Sequence, residues 1–130
     1  MNASTLVWMD HHEARIFDVS LGVETAMKVS APRHHVHRHP KGSAAEHNHP
    51  DDATRFFADV AGELRTASQI LLVGPSIAKL QFLHHLRERH REIHAKVVGV
   101  ESVDHPSDLQ LLAHARRFFS VPSPRMSDAP

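Results

Sequence analysis

Apolar and β-branched positions in the first thirty residues cluster in short runs bounded by polar ones, the pattern of short strands. Residues 5–10 (TLVWMD) and 13–19 (EARIFDV) are two such runs separated by His11 and His12. This spacing predicts a hairpin, although His-His is not a favoured two-residue turn. Leu21 and Gly22 make the next turn, and residues 23–31 (VETAMKVSA) give a third strand. Strands so tightly joined form an antiparallel meander.

Beyond residue 50 the period changes. Asp51 and Asp52 supply an N-cap and first-turn acids for a helix over about 53–67, with Phe56, Phe57, Val60, Ala61 and Leu64 as its inward stripe. Residues 70–73 (ILLV) are a short continuous apolar run ending at Gly74-Pro75, the pattern of a strand covered on both faces. Ser76 is positioned to cap a second helix over 77–94, with Ile77, Leu80, Leu83, Leu86 and Ile93 inward. Residues 96–103 (KVVGVESV) read as a fifth strand, Asp104-His105-Pro106 as a turn, and a last helix starts at Ser107 or Asp108 and ends near Phe119. The order βββαβαβα predicts an α/β fold, a mixed five-stranded sheet with helices on its faces. The strands over 70–73 and 96–103 are expected to be parallel and central or near-central. One domain over 1–119 is predicted, with residues 120–130, which include three prolines, as a disordered tail.

Residues 32–50 (PRHHVHRHPKGSAAEHNHP) differ in kind, with six histidines, three prolines and almost no apolar content. A long structureless segment inside a compact domain is uncommon and is usually functional or disordered. An exposed loop is expected here. Of the 130 residues, 14 are histidine, whereas Lys plus Arg equals Asp plus Glu at 15 each. Net charge therefore rises from near zero at neutral pH to roughly +12 at pH 5.5 if most imidazoles are exposed. No apolar run approaches the ~20 residues that span a bilayer, and Asp10 interrupts the first apolar stretch, so no membrane partner is expected and a cytoplasmic location is the default. The absence of cysteine removes disulfides and thiolate metal sites.

Several of these segments also resemble a known family. The hairpin VWMDHHEARIF, the helix FFADVAGEL and the strand–turn–helix ILLVGPSIAKLQFLHHL look like the opening parts of the middle domain of archaeal and eukaryotic peptide-chain release factors, the superfamily that includes Pelota. KVVGVESVDHPSDLQLLAHARRFF is similar to the last strand and helix of small stand-alone bacterial translational machinery proteins of that superfamily. The resemblance covers nearly all of the chain outside the loop and tail. It implies an RNase H-like fold and a role at the ribosome near the peptidyl-transferase centre. Release factors carry a Gly-Gly-Gln tripeptide on a loop of this domain. Here Gln69, Gln81 and Gln110 are the only glutamines, and none follows two glycines. The resemblance therefore implies a non-enzymatic protein of rescue or hibernation type that binds ribosome or tRNA without the release motif.

The candidate RNA-binding residues are Arg33, His34, His35, His37, Arg38, His39 and Lys41 in the loop over 33–49. Guanidinium and ammonium groups neutralise phosphates, and imidazoles stack on bases or donate to phosphate. An alternative is a His-rich metal-binding module. His35, His37 and His39 alternate and share one face of an extended segment, and His47 and His49 would complete a nitrogen site for zinc, nickel or copper. No cysteine or carboxylate anchors that set, so no native metal, other cofactor or catalytic residue is expected. His90 and His94 lie on a helix rich in alternating Arg and Glu, which is the pattern of a solvated face. Gly74 is best explained by tight packing of its turn. A nuclease or peptidyl-tRNA hydrolase is a further alternative, with Asp10, Asp104 and Glu63 as the carboxylates a two-metal nuclease would need.

Overall fold

The computed structural model describes residues 3–20, 23–31 and 50–121. The turn positions 21 and 22, the predicted loop over 32–49 and the tail beyond 121 lie outside the described residues. Strands β1 (Ala3–Met9), β2 (Glu13–Ser20) and β3 (Val23–Ser30) are followed by α1 (Pro50–Gly62), β4 (Ala67–Gly74), α2 (Ala78–Arg89), the short α3 (Arg91–His94), β5 (Val97–Ser102) and α4 (Asp108–Phe119). They build one five-stranded sheet in the order β3-β2-β1-β4-β5. The β1–β2 and β2–β3 pairs are antiparallel, and the β1–β4 and β4–β5 pairs are parallel. The mixed sheet with helices on its faces is the α/β architecture expected from the element order.

The central strands are buried on both sides, and their sequences show why. On β1 and β4, Val7, Met9, Ile70 and Leu72 face one core with Phe56, Val60, Leu64, Phe82, Leu86 and Ile93. Leu6, Trp8, Leu71 and Val73 face a second core with Phe17, Val19, Leu111 and Ala115. Alternate side chains of a strand point to opposite faces, so a strand covered twice must be apolar throughout. Helices α1, α2 and α3 therefore cover one face and α4 the other. Each large side chain fully buried this way contributes about 1.5–3 kcal/mol.

Three expectations are corrected. The first helix starts at Pro50 and stops at Gly62, so Asp51 and Asp52 stand within its first turn rather than before it. A proline suits that turn, whose N–H groups have no helical acceptor. The second helix does not run through to His94. It breaks at His90, which has φ −139° and ψ 66°, and the chain restarts as α3. The inward stripe of α2 is Ala78, Lys79, Phe82, His85 and Leu86, while Ile77 and Leu80 are 57% and 50% exposed. Two polar residues on the buried face rotated the apparent apolar stripe away from the true one. Finally, β4 is an interior strand, but β5 is the edge of the sheet. After β5 the chain crosses to the second face, where α4 packs on β1 and β2, and among the described residues no later strand follows.

The last helix agrees with its predicted start. Ser107 Oγ accepts from the Gln110 N–H, and the Gln110 side chain accepts from the Ser107 N–H, a reciprocal capping box. At the other end Ser120 adopts a left-handed conformation (φ 58°), and the Val121 N–H donates to the Arg116 carbonyl.

Candidate functional site

Because β1 and β3 run parallel to β4 and β5, four strands end at one rim of the sheet. In open α/β sheets the carboxyl ends of the strands are where ligands bind. The rim here carries the β1–β2 turn, the β4–α2 turn, residues 103–107 and the end of β3. The Ala31 N–H donates to the His12 carbonyl at 2.8 Å, so the chain enters segment 32–49 directly beside the β1–β2 turn. Helix α1 must begin on the same side, since it runs back to the start of β4 at the opposite end.

The β1–β2 turn works with His-His at its tip because Asp10 closes it. The Asp10 carboxylate accepts from the N–H groups of His12 (2.8 Å) and Glu13 (3.0 Å), and the Asp10 N–H donates to the Glu13 carbonyl. His11 and His12 are thereby held exposed, with His11 Nε2 2.8 Å from Gln81 Oε1 on α2. The next turn is dictated by contact. A Cβ on Gly74 would lie 2.2 Å from the Met9 carbonyl oxygen, so only glycine permits β1 and β4 to close here. Lys79 is buried and donates to the Ser76 carbonyl at 2.8 Å.

Behind the rim, on the α4 face, Trp8 is fully buried and donates from Nε1 to the Asp104 carbonyl at 2.8 Å. The Arg15 guanidinium lies 4.4 Å from the Trp8 ring centroid, an arrangement worth about 1 kcal/mol or more when partly desolvated. Arg15 Nη1 also donates to Asp108 at 2.7 Å and to the Pro106 carbonyl at 3.3 Å. Its Nε is buried without a hydrogen bond, 3.5 Å from the Glu13 carboxylate. His105 packs on Trp8 with ring centroids 5.2 Å apart, its Nδ1 3.1 Å from Asp104 and its Nε2 4.0 Å from Asp10.

The predicted RNA-binding residues Arg33, His34, His35, His37, Arg38, His39 and Lys41, and the histidines of the alternative metal set, all lie outside the described residues. What the described residues add is the root of that segment, flanked by the exposed His11, His12 and His105. The rim's own acids already have partners: Asp10 holds the turn, Asp104 faces His105, and Asp108 pairs with Arg15. Of the three carboxylates considered for a nuclease, Asp10 and Asp104 meet at His105, whereas Glu63 follows α1 at the other end of the sheet. Among the described residues no three His, Asp or Glu side chains are grouped to hold a metal ion.

Two features escaped the sequence reading. His85 is buried against Phe57 and Phe82, with its Nε2 unpartnered. Burial, and then the nearby His90, Arg89 and His84 charges, push its pKa below the ordinary histidine value. An open groove of about 420 Å³ runs along α4, lined among others by Val103, Pro106, Leu111, His114 and Arg117. His114 is fixed there by Glu101 at 2.7 Å. The Trp8–Arg15 pair did have a signal, because counting outward from a turn at His11-His12 sets these residues opposite each other. The His85 and His114 contacts have none.

No protein-family model and no curated protein matches the chain, but solved structures do. Pelota from Archaeoglobus fulgidus matches with a TM-score of 0.60 at 18% identity, over 88% of this chain and 31% of its own. Pelota from Thermoplasma acidophilum gives 0.61 at 17%, over 97% and 34%. An archaeal translation termination factor, aRF1, gives 0.62 at 13%, over 96% and 36%. Identities this low establish likeness of fold, in agreement with the middle-domain-like architecture that the sequence segments resemble. The protein therefore has the fold found within Pelota and archaeal release-factor structures, and it spans about a third of the length of those chains.

Proposed function

We propose that the protein is a translation-associated factor that binds ribosomal RNA or tRNA without catalysing peptide release. The observation that carries this reading is the fold shared with an archaeal translation termination factor and with Pelota. Segment 33–49 is the binding element, with Arg33, Arg38 and Lys41 as permanent cations and His34, His35, His37 and His39 as titratable ones. Its root beside His11, His12 and His105 adds three exposed imidazoles to the same rim. Such a protein works in the cytoplasm, where ribosomes are, and among the described residues no helix is long and apolar enough to cross a membrane. With no Gly-Gly-Gln tripeptide it lacks the group by which release factors place water at the peptidyl-tRNA ester, which supports binding rather than hydrolysis as its activity.

Fluorescence anisotropy with a labelled tRNA or ribosomal RNA fragment, at two pH values and two salt concentrations, tests the reading. Affinity should rise from pH 7.5 to 6, with a steeper salt dependence at the lower pH, because each imidazolium adds a phosphate contact and releases a counterion. Changing Arg33, Arg38 and Lys41 to Ala should weaken binding at both pH values. Changing His34, His35, His37 and His39 to Asn should flatten the pH response. Affinity that ignores pH and all seven substitutions would remove the site from this segment. Peptide release from programmed ribosomes above background would overturn the non-enzymatic reading.

A further inference from the structure

Buried polar atoms ordinarily find a hydrogen-bond partner, and His85 departs from that rule at a break in the chain. It lies on the buried stripe of α2, with its ring 5.5 Å from that of Phe57 and stacked near Phe82 at 6.4 Å. Its Nε2 is buried and makes no hydrogen bond. A leucine would fill such a place without leaving a polar atom unsatisfied. His85 also meets the half-buried His90, with ring centroids 5.2 Å apart at 41°. His90 is the residue at which α2 ends and α3 begins.

The chain around this joint is tied at both ends. The His90 N–H donates to the Leu86 carbonyl at 2.7 Å, which closes α2. Beyond the joint the Ile70 N–H donates to the Lys96 carbonyl at 2.9 Å, which fixes the entry to β5. Between these ties α3 has only four residues and one buried side chain, Ile93, which joins the core. A single helical turn has little stability of its own, so its packing holds it in place.

The ionisable groups that act on His85 are all basic: His90 at the joint, then Arg89 and His84 on α2. Arg89 and Arg91 flank His90 in the chain, and His94 stands one turn further along α3. From α1 the contact is the uncharged Phe57 ring. Glu88 and Glu92 are both exposed, and among the described residues no carboxylate forms an ion pair with either ring. Burial and the basic neighbours therefore all favour the neutral form of His85. An imidazole free of such effects takes up a proton as pH falls through about 6.5. With both rings protonated, two like charges would face each other across the 5.2 Å contact.

We infer that the His85–His90 contact is a proton-sensitive latch: the neutral rings hold α3 against α2 and the core, and their protonation parts them and lets α3 swing away. The opening is local, because the ties at Leu86 and Lys96 bound it on either side. It uncovers Ile93 and Phe57, an apolar surface that is closed at neutral pH. None of the residues assigned to RNA binding takes part, so the inference stands whether or not that reading holds.

Amide exchange of the full chain at pH 7.5 and pH 5.5, corrected for the intrinsic pH dependence of exchange, tests the latch. The reporters are the Ile93 and His94 N–H groups, which donate to the His90 carbonyl at 3.0 and 2.9 Å. The reference is the Leu111 N–H in α4, which donates to the Ser107 carbonyl at 2.9 Å. Protection of the two reporters should fall by roughly tenfold or more on acidification, while that of Leu111 is kept. His85→Leu and His90→Asn should each abolish the fall and leave the reporters protected at pH 5.5. His90 is half-buried, so His90→Asn keeps the test open if the core substitution fails to fold. Protection that does not change with pH in the parent would overturn the inference. An equal fall at Leu111 would mean unfolding of the whole domain and would overturn it too. So would a fall that persists in either folded variant, since the latch needs both rings.

Discussion

The two faces of the sheet are held by different physics. On the face covered by α1, α2 and α3, the contact is dry: Phe56, Phe57, Val60, Leu64, Phe82, Leu86 and Ile93 close on Val7, Met9, Ile70 and Leu72. The α4 face has a smaller apolar core, and polar anchors surround it. Arg15 reaches Asp108, Trp8 reaches the Asp104 carbonyl, His114 reaches Glu101, and Arg116 pairs with Glu24 across the sheet. Helices that together close on the sheet through this many large apolar side chains need no directional bond to stay in place. A lone helix with Leu111 and Ala115 as its buried residues does, and the ion pairs set its rotation and register. The Arg15, Trp8 and Glu101 anchors lie toward the rim, while Arg116–Glu24 lies at the opposite end of the sheet, so the face with the weaker core is the one that positions the candidate site.

The sharpest break in this contrast comes from the dry face. Phe82→Ala removes a fully buried ring that touches Phe57 and stacks near His85, leaving a cavity. A loss of about 3–5 kcal/mol is expected in urea unfolding, with the whole domain affected. A loss below about 1 kcal/mol would mean that this face is not the main source of stability.

Arg15→Met tests the other face, keeping the stem over Trp8 while deleting the guanidinium and its bonds to Asp108 and Pro106. Because Asp108 is exposed, the global loss should be only about 1 kcal/mol. The local effect should be larger: amide exchange in the first turn of α4 should quicken while α2 is unchanged. Equal quickening on both faces would dissolve the distinction drawn here.

His85 gives the smallest and most specific effect, as a buried polar side chain in the dry face with an unpartnered ring nitrogen. Its folded-state pKa is lowered, so the unfolded chain takes up a proton near pH 6.5 before the native protein does. The His85 contribution is therefore fully present above pH 6.5 and is lost as pH falls through that value toward the lowered native pKa. His85→Leu should make the decline in unfolding free energy from pH 7.5 to 5.5 shallower than in the parent. Parallel declines in the two proteins would show that His85 does not titrate in this way.

The legible part of this molecule was the part governed by local rules. The hairpin could be read because residues 5–10 and 13–19 are two β-rich runs, and a turn at His11-His12 between them then fixes the register. The continuous run at 70–73 marked a strand buried twice, Gly74 marked a tightly packed turn, and Ser107 or Asp108 marked a helix start. Where polar residues entered the core the pattern misled: Lys79 and His85 on the buried stripe of α2 turned Ile77 and Leu80 outward against expectation. Segment 33–49 stands out by composition and family likeness, which give residue types but no arrangement.

By itself the sequence determined the succession of elements, the two-sided burial of β4, and the segment in which cations and imidazoles concentrate. Each of these follows from interactions between residues close in the chain or from the side-chain period of a single element. Only the tertiary structure decided that, among the described residues, β5 ends the sheet and α4 alone covers its face, and that Trp8 meets the carbonyl of Asp104 across 96 positions of sequence. The reason is that these contacts join elements distant in the chain. Strand order and helix placement are selected by how well two cores fill at once, a quantity that no local pattern of residues carries.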